Sequence, residues 1–156
     1  MVKSRYGHVS KAIKAPLGFV YDWCTDYREN DWDIFGGNTR EKILLKNKHR
    51  VVYVQNYKKQ GEPKSVVEVV TLHPPKAWHL DSIGDDSGEV CDYTLTSLGP
   101  QKTRLELKYR VDYNVGKAPT EAQIVALTHR VWDKFIPLLE RDYARKKRQR
   151  SPGAAV

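Results

Sequence analysis

Between residues 104 and 113 apolar and charged positions alternate without a break. Leu105, Leu107, Tyr109, Val111 and Tyr113 share one parity, and Arg104, Glu106, Lys108, Arg110 and Asp112 share the other. A two-residue period of this kind is a β-strand with one buried and one wet face, as in an antiparallel sheet covered on a single side. The same character, short runs rich in β-branched and aromatic residues, extends back to residue 39. It is punctuated by turn signals at Lys46-Asn47-Lys48, Gln60-Gly61-Glu62-Pro63, Pro74-Pro75, Gly84 to Gly88 and Gly99-Pro100. The pattern predicts six strands, at about 39–45, 49–57, 64–73, 76–83, 89–98 and 102–114, with connections short enough for hairpins.

After Pro119 the period changes. No glycine occurs before Lys147, Thr120 is placed to cap, and Ile124, Leu127, Val131, Phe135, Leu138 and Leu139 form an apolar stripe at helical spacing. Such a helix is about 42 Å long, enough to cross a sheet, and Pro137 is expected to kink it. At the other end of the chain, Tyr6 to Ile13 reads as a strand that stops at Ala15-Pro16. Residues 17–24 (LGFVYDWC) follow as a short helix with Phe19, Val20 and Trp23 on one face. Residues 25–35 mix acids with aromatics and end at Gly36-Gly37, which predicts a second short helix or an ordered loop. The fold class is therefore α+β: a seven-stranded antiparallel sheet, two short helices after the first strand, and a long C-terminal helix packed across the sheet.

Three stretches carry a family resemblance: His8 to Asp26 (HVSKAIKAPLGFVYDWCTD), Val66 to Trp78 (VVEVVTLHPPKAW) and Tyr93 to Tyr109 (YTLTSLGPQKTRLELKY). In this order they resemble the START/Bet v 1-like (SRPBCC) superfamily, in particular its polyketide cyclase/dehydrase and lipid-transport proteins, over roughly residues 6–145. The resemblance implies a curved helix-grip sheet and an apolar cavity closed by the long helix. It also implies a ligand drawn from lipids, polyketides, isoprenoid-like molecules and similar compounds, which some members bind and others cyclise or dehydrate. Fold likeness raises the expectation of a cavity without fixing chemistry.

The 156 residues fit one domain, expected to span 1–147, with a basic and disordered tail at 148–156. Of the formal charge of +8, residues 141–150 carry +5, which leaves a body of only +3. Cys24 and Cys91 show neither metal nor redox spacing, and no run approaches a membrane span or the core of a signal peptide, so a reducing cytoplasm is the expected setting. Cofactor and metal motifs are absent from the sequence: Gly36-Gly37 lacks the company of a phosphate loop, and no nucleophile elbow occurs.

The expected cavity draws on Trp32, Phe35, Tyr53, Trp78, Tyr93, Leu107, Tyr109, Val131 and Phe135. Core packing accounts for any one of these taken alone; their convergence points to a pocket. Alternation sets Tyr109 and Tyr113 inward but leaves Tyr53, Tyr93 and His79 undecided. Glu68, Asp81 and Asp92 are expected on the solvent face, with Val67 and Val69 inward, so no catalytic dyad is assigned. His8, His49, His73 and His129 form no ligand pattern. The leading reading is a protein that binds or transports a small hydrophobic or amphipathic ligand. A cyclase or dehydratase using a pocket Tyr, His or acid is the second. The third is weak contact of the basic tail with anionic lipid or nucleic acid. Oligomeric state has no signal in the sequence.

Overall fold

The computed structural model describes residues 2–114, 116–151 and 153. Strand β1 (Lys3–Ile13) leads into helix α1 (Leu17–Thr25) and a short 3-10 helix (Asp31–Phe35). Six strands follow, β2 (Arg40–Lys46), β3 (Arg50–Lys59), β4 (Glu62–His73), β5 (Ala77–Gly84), β6 (Ser87–Gly99) and β7 (Lys102–Tyr113), and the chain closes with helix α2 (Glu121–Gln149). Helix α2 thus continues through Arg148 and Gln149, beyond the expected end at Lys147. Of the expected tail, residues 152 and 154–156 lie outside the described residues.

Each local element has a readable cause. Pro16 fixes φ at −64° and sits at the N-cap of α1, where the first helical bond runs from the Val20 amide to the Pro16 carbonyl at 3.0 Å. Thr120 and Gln123 form a reciprocal capping box at the start of α2, the Thr120 hydroxyl accepting from the Gln123 amide and the Gln123 side chain accepting from the Thr120 amide. The hairpin between β3 and β4 turns on Gln60 and Gly61, both at positive φ (53° and 81°), the conformation a two-residue hairpin requires. The helix runs on through Pro137.

The sheet is antiparallel throughout, in the order β1-β7-β6-β5-β4-β3-β2. All neighbours are consecutive except β1, which pairs with β7 and so returns the N-terminus to the side of the sheet where α2 begins. Irregular register at Ile43/Leu45 and Ser97/Gly99 helps bend the strands, since an extra residue on one side of a ladder increases twist. Helix α2 lies chiefly over β1, tied there by Lys11 to Asp133 (2.7 Å), the Lys14 amide to Glu140 (2.8 Å) and Arg5 to the Pro119 carbonyl (2.8 Å).

The packed core is concentrated at one end. Ile13, Val20, Leu105 and Leu139 are wholly buried there, and Thr103, equally buried, donates its hydroxyl proton to the Ala15 carbonyl at 2.8 Å. Towards the other end the inner face carries Trp78, Tyr93, Leu107, Tyr109 and Tyr53, and these side chains surround space rather than fill it.

Gly7 sits directly opposite Tyr109 in the β1–β7 register, and the Tyr109 ring lies where a side chain at position 7 would be. Gly7→Ala is therefore expected to displace that ring and lower unfolding free energy by about 1–3 kcal/mol, measured by chemical denaturation. An unchanged midpoint would mean the ring moves aside freely.

Candidate functional site

A cavity of about 320 Å³ opens between the inner face of the sheet, α2 and the segment from α1 to the 3-10 helix. Strand alternation decides which side chains reach it. On β5 to β7 the inward parity holds Trp78 and Leu80, Glu89 and Tyr93, and Leu107 and Tyr109; on β2 to β4 it holds Glu41, Tyr53, Gln55 and Glu68. Helix α2 adds Leu127, Thr128, Val131, Trp132 and Phe135.

One wall is aromatic. Trp78 and Tyr93, opposite each other on β5 and β6, stack with ring centres 4.8 Å apart and planes 8° from parallel. Phe135 on α2 is the hub of the other side, its ring meeting Trp23 (6.2 Å), Trp32 (6.1 Å), Phe35 (5.7 Å) and Trp132 (5.8 Å). Tyr109 is hydrogen-bonded with Thr128 of α2 at 2.9 Å, which ties the helix to the sheet across the cavity rim.

The opposite end is acidic. Tyr53 donates to Glu68, and the Gln55 amide nitrogen donates to Glu41 at 2.8 Å. Glu89 stands across Ser82 from Glu68 on the same transverse row of the sheet. Burial pushes all three carboxyls up to about 7; Gln55 and Tyr53 offset part of that at Glu41 and Glu68, whereas proximity to Glu89 adds to it at Glu68. Burial likewise raises the phenols of Tyr27, Tyr53 and Tyr93 and the thiols of Cys24 and Cys91, which keeps them protonated at neutral pH. Among the described residues, none of the three carboxylates is paired with a lysine or arginine.

Of the residues expected from sequence, Trp32, Tyr53, Trp78, Tyr93, Leu107, Tyr109, Val131 and Phe135 line the cavity; Phe35 stands behind it, 5.1 Å from the Trp32 ring. Leu127 belongs to the expected apolar stripe yet is 53% exposed, because α2 leans towards β1 and leaves this side chain at the cavity mouth. Glu68 corrects the sequence reading: it points inward, and Val67, expected inside, is exposed. The reason is that β4 carries valines on both parities, so hydrophobicity alone does not choose a face. The neighbouring strand does, since Val51, Tyr53 and Gln55 are buried and their register partners follow them inward. Glu41 and Glu89 escaped notice as well, although each alternates with an inward apolar residue, Ile43 and Cys91.

His79, Asp81 and Asp92 stand on the outer face, where His79 contacts Asp92 (2.6 Å) and Asp81 (3.3 Å); the Asp92 contact, reinforced by Asp81, holds the imidazole above its ordinary pKa. They take no part in the cavity.

No family model matches the sequence, and no curated protein matches it. Among solved structures, the chain is similar to the Zhui aromatase/cyclase from Streptomyces sp. R1128, at 16% identity and a TM-score of 0.70 over 98% of this chain and 100% of that one. It is similar to a START superfamily protein from Mycobacterium smegmatis, at 14% identity and a TM-score of 0.65 over 90% and 97% of the two chains. It is also similar to Ara h 8.0201, at 7% identity and a TM-score of 0.69 over 92% and 99%. The chain has the START/Bet v 1-like helix-grip fold that the sequence resemblance implied.

The inward carboxyls carry a stability signature. With folded-state values near 7 against an ordinary 4.5, the folded chain binds more protons than the unfolded one between those limits, so stability falls as pH rises through that window. Glu68→Gln and Glu89→Gln should each be more stable than the parent at pH 8, by about 2 kcal/mol. The gain should vanish below about pH 5. Urea melts at the two pH values measure this, and a pH-independent difference would contradict the assignment.

Proposed function

We propose that the protein binds a small amphipathic molecule, seating its apolar part against the Trp78–Tyr93 stack and its polar end at Glu41, Glu68 and Glu89. One observation carries this reading: three half-buried carboxyls, Glu41, Glu68 and Glu89, gather with Asp31 at one end of a cavity whose other walls are largely aromatic and aliphatic, where a chain folding only for stability would place hydrocarbon. A volume of about 320 Å³ suits a ligand of two or three fused rings or a comparable branched chain. The neighbours described as a START protein and an aromatase/cyclase support a cavity that takes such molecules. On the outer face Val67 and Ile83 are exposed.

Leu127 at the mouth and Val131 deeper on α2 mark the entrance path. The neutral fluorophore N-phenyl-1-naphthylamine should bind with micromolar affinity and enhanced emission, and Val131→Trp, which fills the cavity, should weaken it at least about tenfold. Absence of binding by the parent chain, together with no co-purified small molecule in native mass spectra, would refute the reading.

A second reading is favoured by the contact between the Tyr53 phenol and Glu68. An acid with a value near 7 held against a phenol is suited to shuttle a proton, as a cyclisation followed by loss of water requires. If the chain turns over a linear poly-β-ketone thioester, Glu68→Gln and Tyr53→Phe should each lower the rate by about a hundredfold with little change in KM, followed by product mass spectrometry. Equal turnover by the variants would remove the dyad from the chemistry.

A further inference from the structure

We propose that the cavity is selective for ligands bearing a protonated amine, received by Glu41, Glu68 and Glu89. The inference rests on the cavity being a small-molecule site and goes further by naming the charge of the ligand.

The chain holds 27 lysines and arginines, yet among the described residues none is paired with the cavity carboxylates. Arg28, the one basic residue among those lining the cavity, is more than half exposed and is held at the rim by Asp26 at 3.2 Å. Taking a carboxylate out of water is costly, and no lysine or arginine among the described residues reaches these three, so a cation brought by the ligand would stabilise their ionised form where the fold supplies only the neutral donors Gln55 and Tyr53.

The neutral groups beside the acids point the same way. Gln55 is only 8% exposed and lines the cavity; its amide nitrogen is committed to Glu41, and among the described residues its carbonyl oxygen accepts nothing from the protein. The Tyr53 proton is committed to Glu68. The Gln55 amide and the Tyr53 phenol are therefore used internally, and the Gln55 carbonyl and the remaining carboxylate oxygens face the space as acceptors beside the Tyr27 phenol. An anionic ligand would meet like charge here. An ammonium group supplies up to three donors and the missing positive charge.

The rings add a second attraction. Tyr27 and Tyr53, with centres 5.4 Å apart, border the acidic end, and a cation over their faces gains quadrupole stabilisation. Glu68 and Glu89 lie on strands two apart in the sheet, about 10 Å between backbones, a span that side chains and an ammonium group can share.

The test compares two isosteric probes by calorimetry at pH 8, 1-naphthylmethylamine and 1-naphthalenemethanol, on the full chain. The amine should bind at least about tenfold more tightly. Glu68→Gln combined with Glu89→Gln should narrow the ratio to below about threefold, and Glu41→Gln alone should narrow it in part. The outer-face variant Asp92→Asn should leave the ratio as it was, which separates a local effect from a change in overall charge. Binding of both probes with no preference for the amine, or a preference that survives the glutamine variants, overturns the charge selectivity and leaves the cavity reading intact. Binding of neither overturns both.

Discussion

The structure depends on a mismatch of widths. Seven strands at about 4.8 Å spacing make an inner face roughly 29 Å across, whereas one helix with its side chains covers about 10–12 Å. Helix α2 cannot bury the whole face. It settles over β1 because Lys11, Lys14 and Arg5 supply partners there, and because β1 pairs with β7 at the edge of the sheet nearest the link into the helix. The inner face of β2 to β6 must be sheltered by other means: curvature of the sheet, helix α1, and the aromatic segment that ends at Phe35.

These covers fill the two ends of the molecule differently. Aliphatic side chains close one end to full burial, as Ile13, Leu105 and Leu139 show. At the other end the covering groups are large rings braced around Phe135, edge to face from Trp23, Trp32 and Phe35 and tilted from Trp132. Rings joined in this way span a gap without collapsing into it, since each is held by contact with its neighbours. The cavity is thus a consequence of how the sheet is covered, and the Tyr109–Thr128 contact fixes how far the helix stands off.

The electrostatics follow from the same geometry. Charged side chains on the outer face are hydrated and pair at the surface, as His79 does with Asp81 and Asp92, and such pairs contribute little to stability. A carboxyl on the inner parity of β2, β4 or β6 is shielded from water and responds by holding its proton more tightly. Residue types that are unremarkable on one face of a strand become the chemical content of the molecule on the other.

How much of this was legible from the chain depends on the period of each segment. The alternation of residues 104–113, the stripe on α2 and the turn residues between strands determine the elements and their order, because burial of one face imposes a period that survives without any tertiary information. Aromatic residues such as Trp78, Tyr93 and Phe135 could be placed near a cavity because large rings must be sheltered somewhere. The acids could not be placed. Strand β4 offers valines on both parities, so the face that Glu68 takes is set by its register with β3 and β5. Leu127 fits the helical stripe equally well in sequence, and only the lean of α2 towards β1 leaves it at the mouth. Local pattern determines what a segment becomes; which groups meet in one enclosed space depends on pairing between strands distant in sequence, and only the tertiary structure decides that.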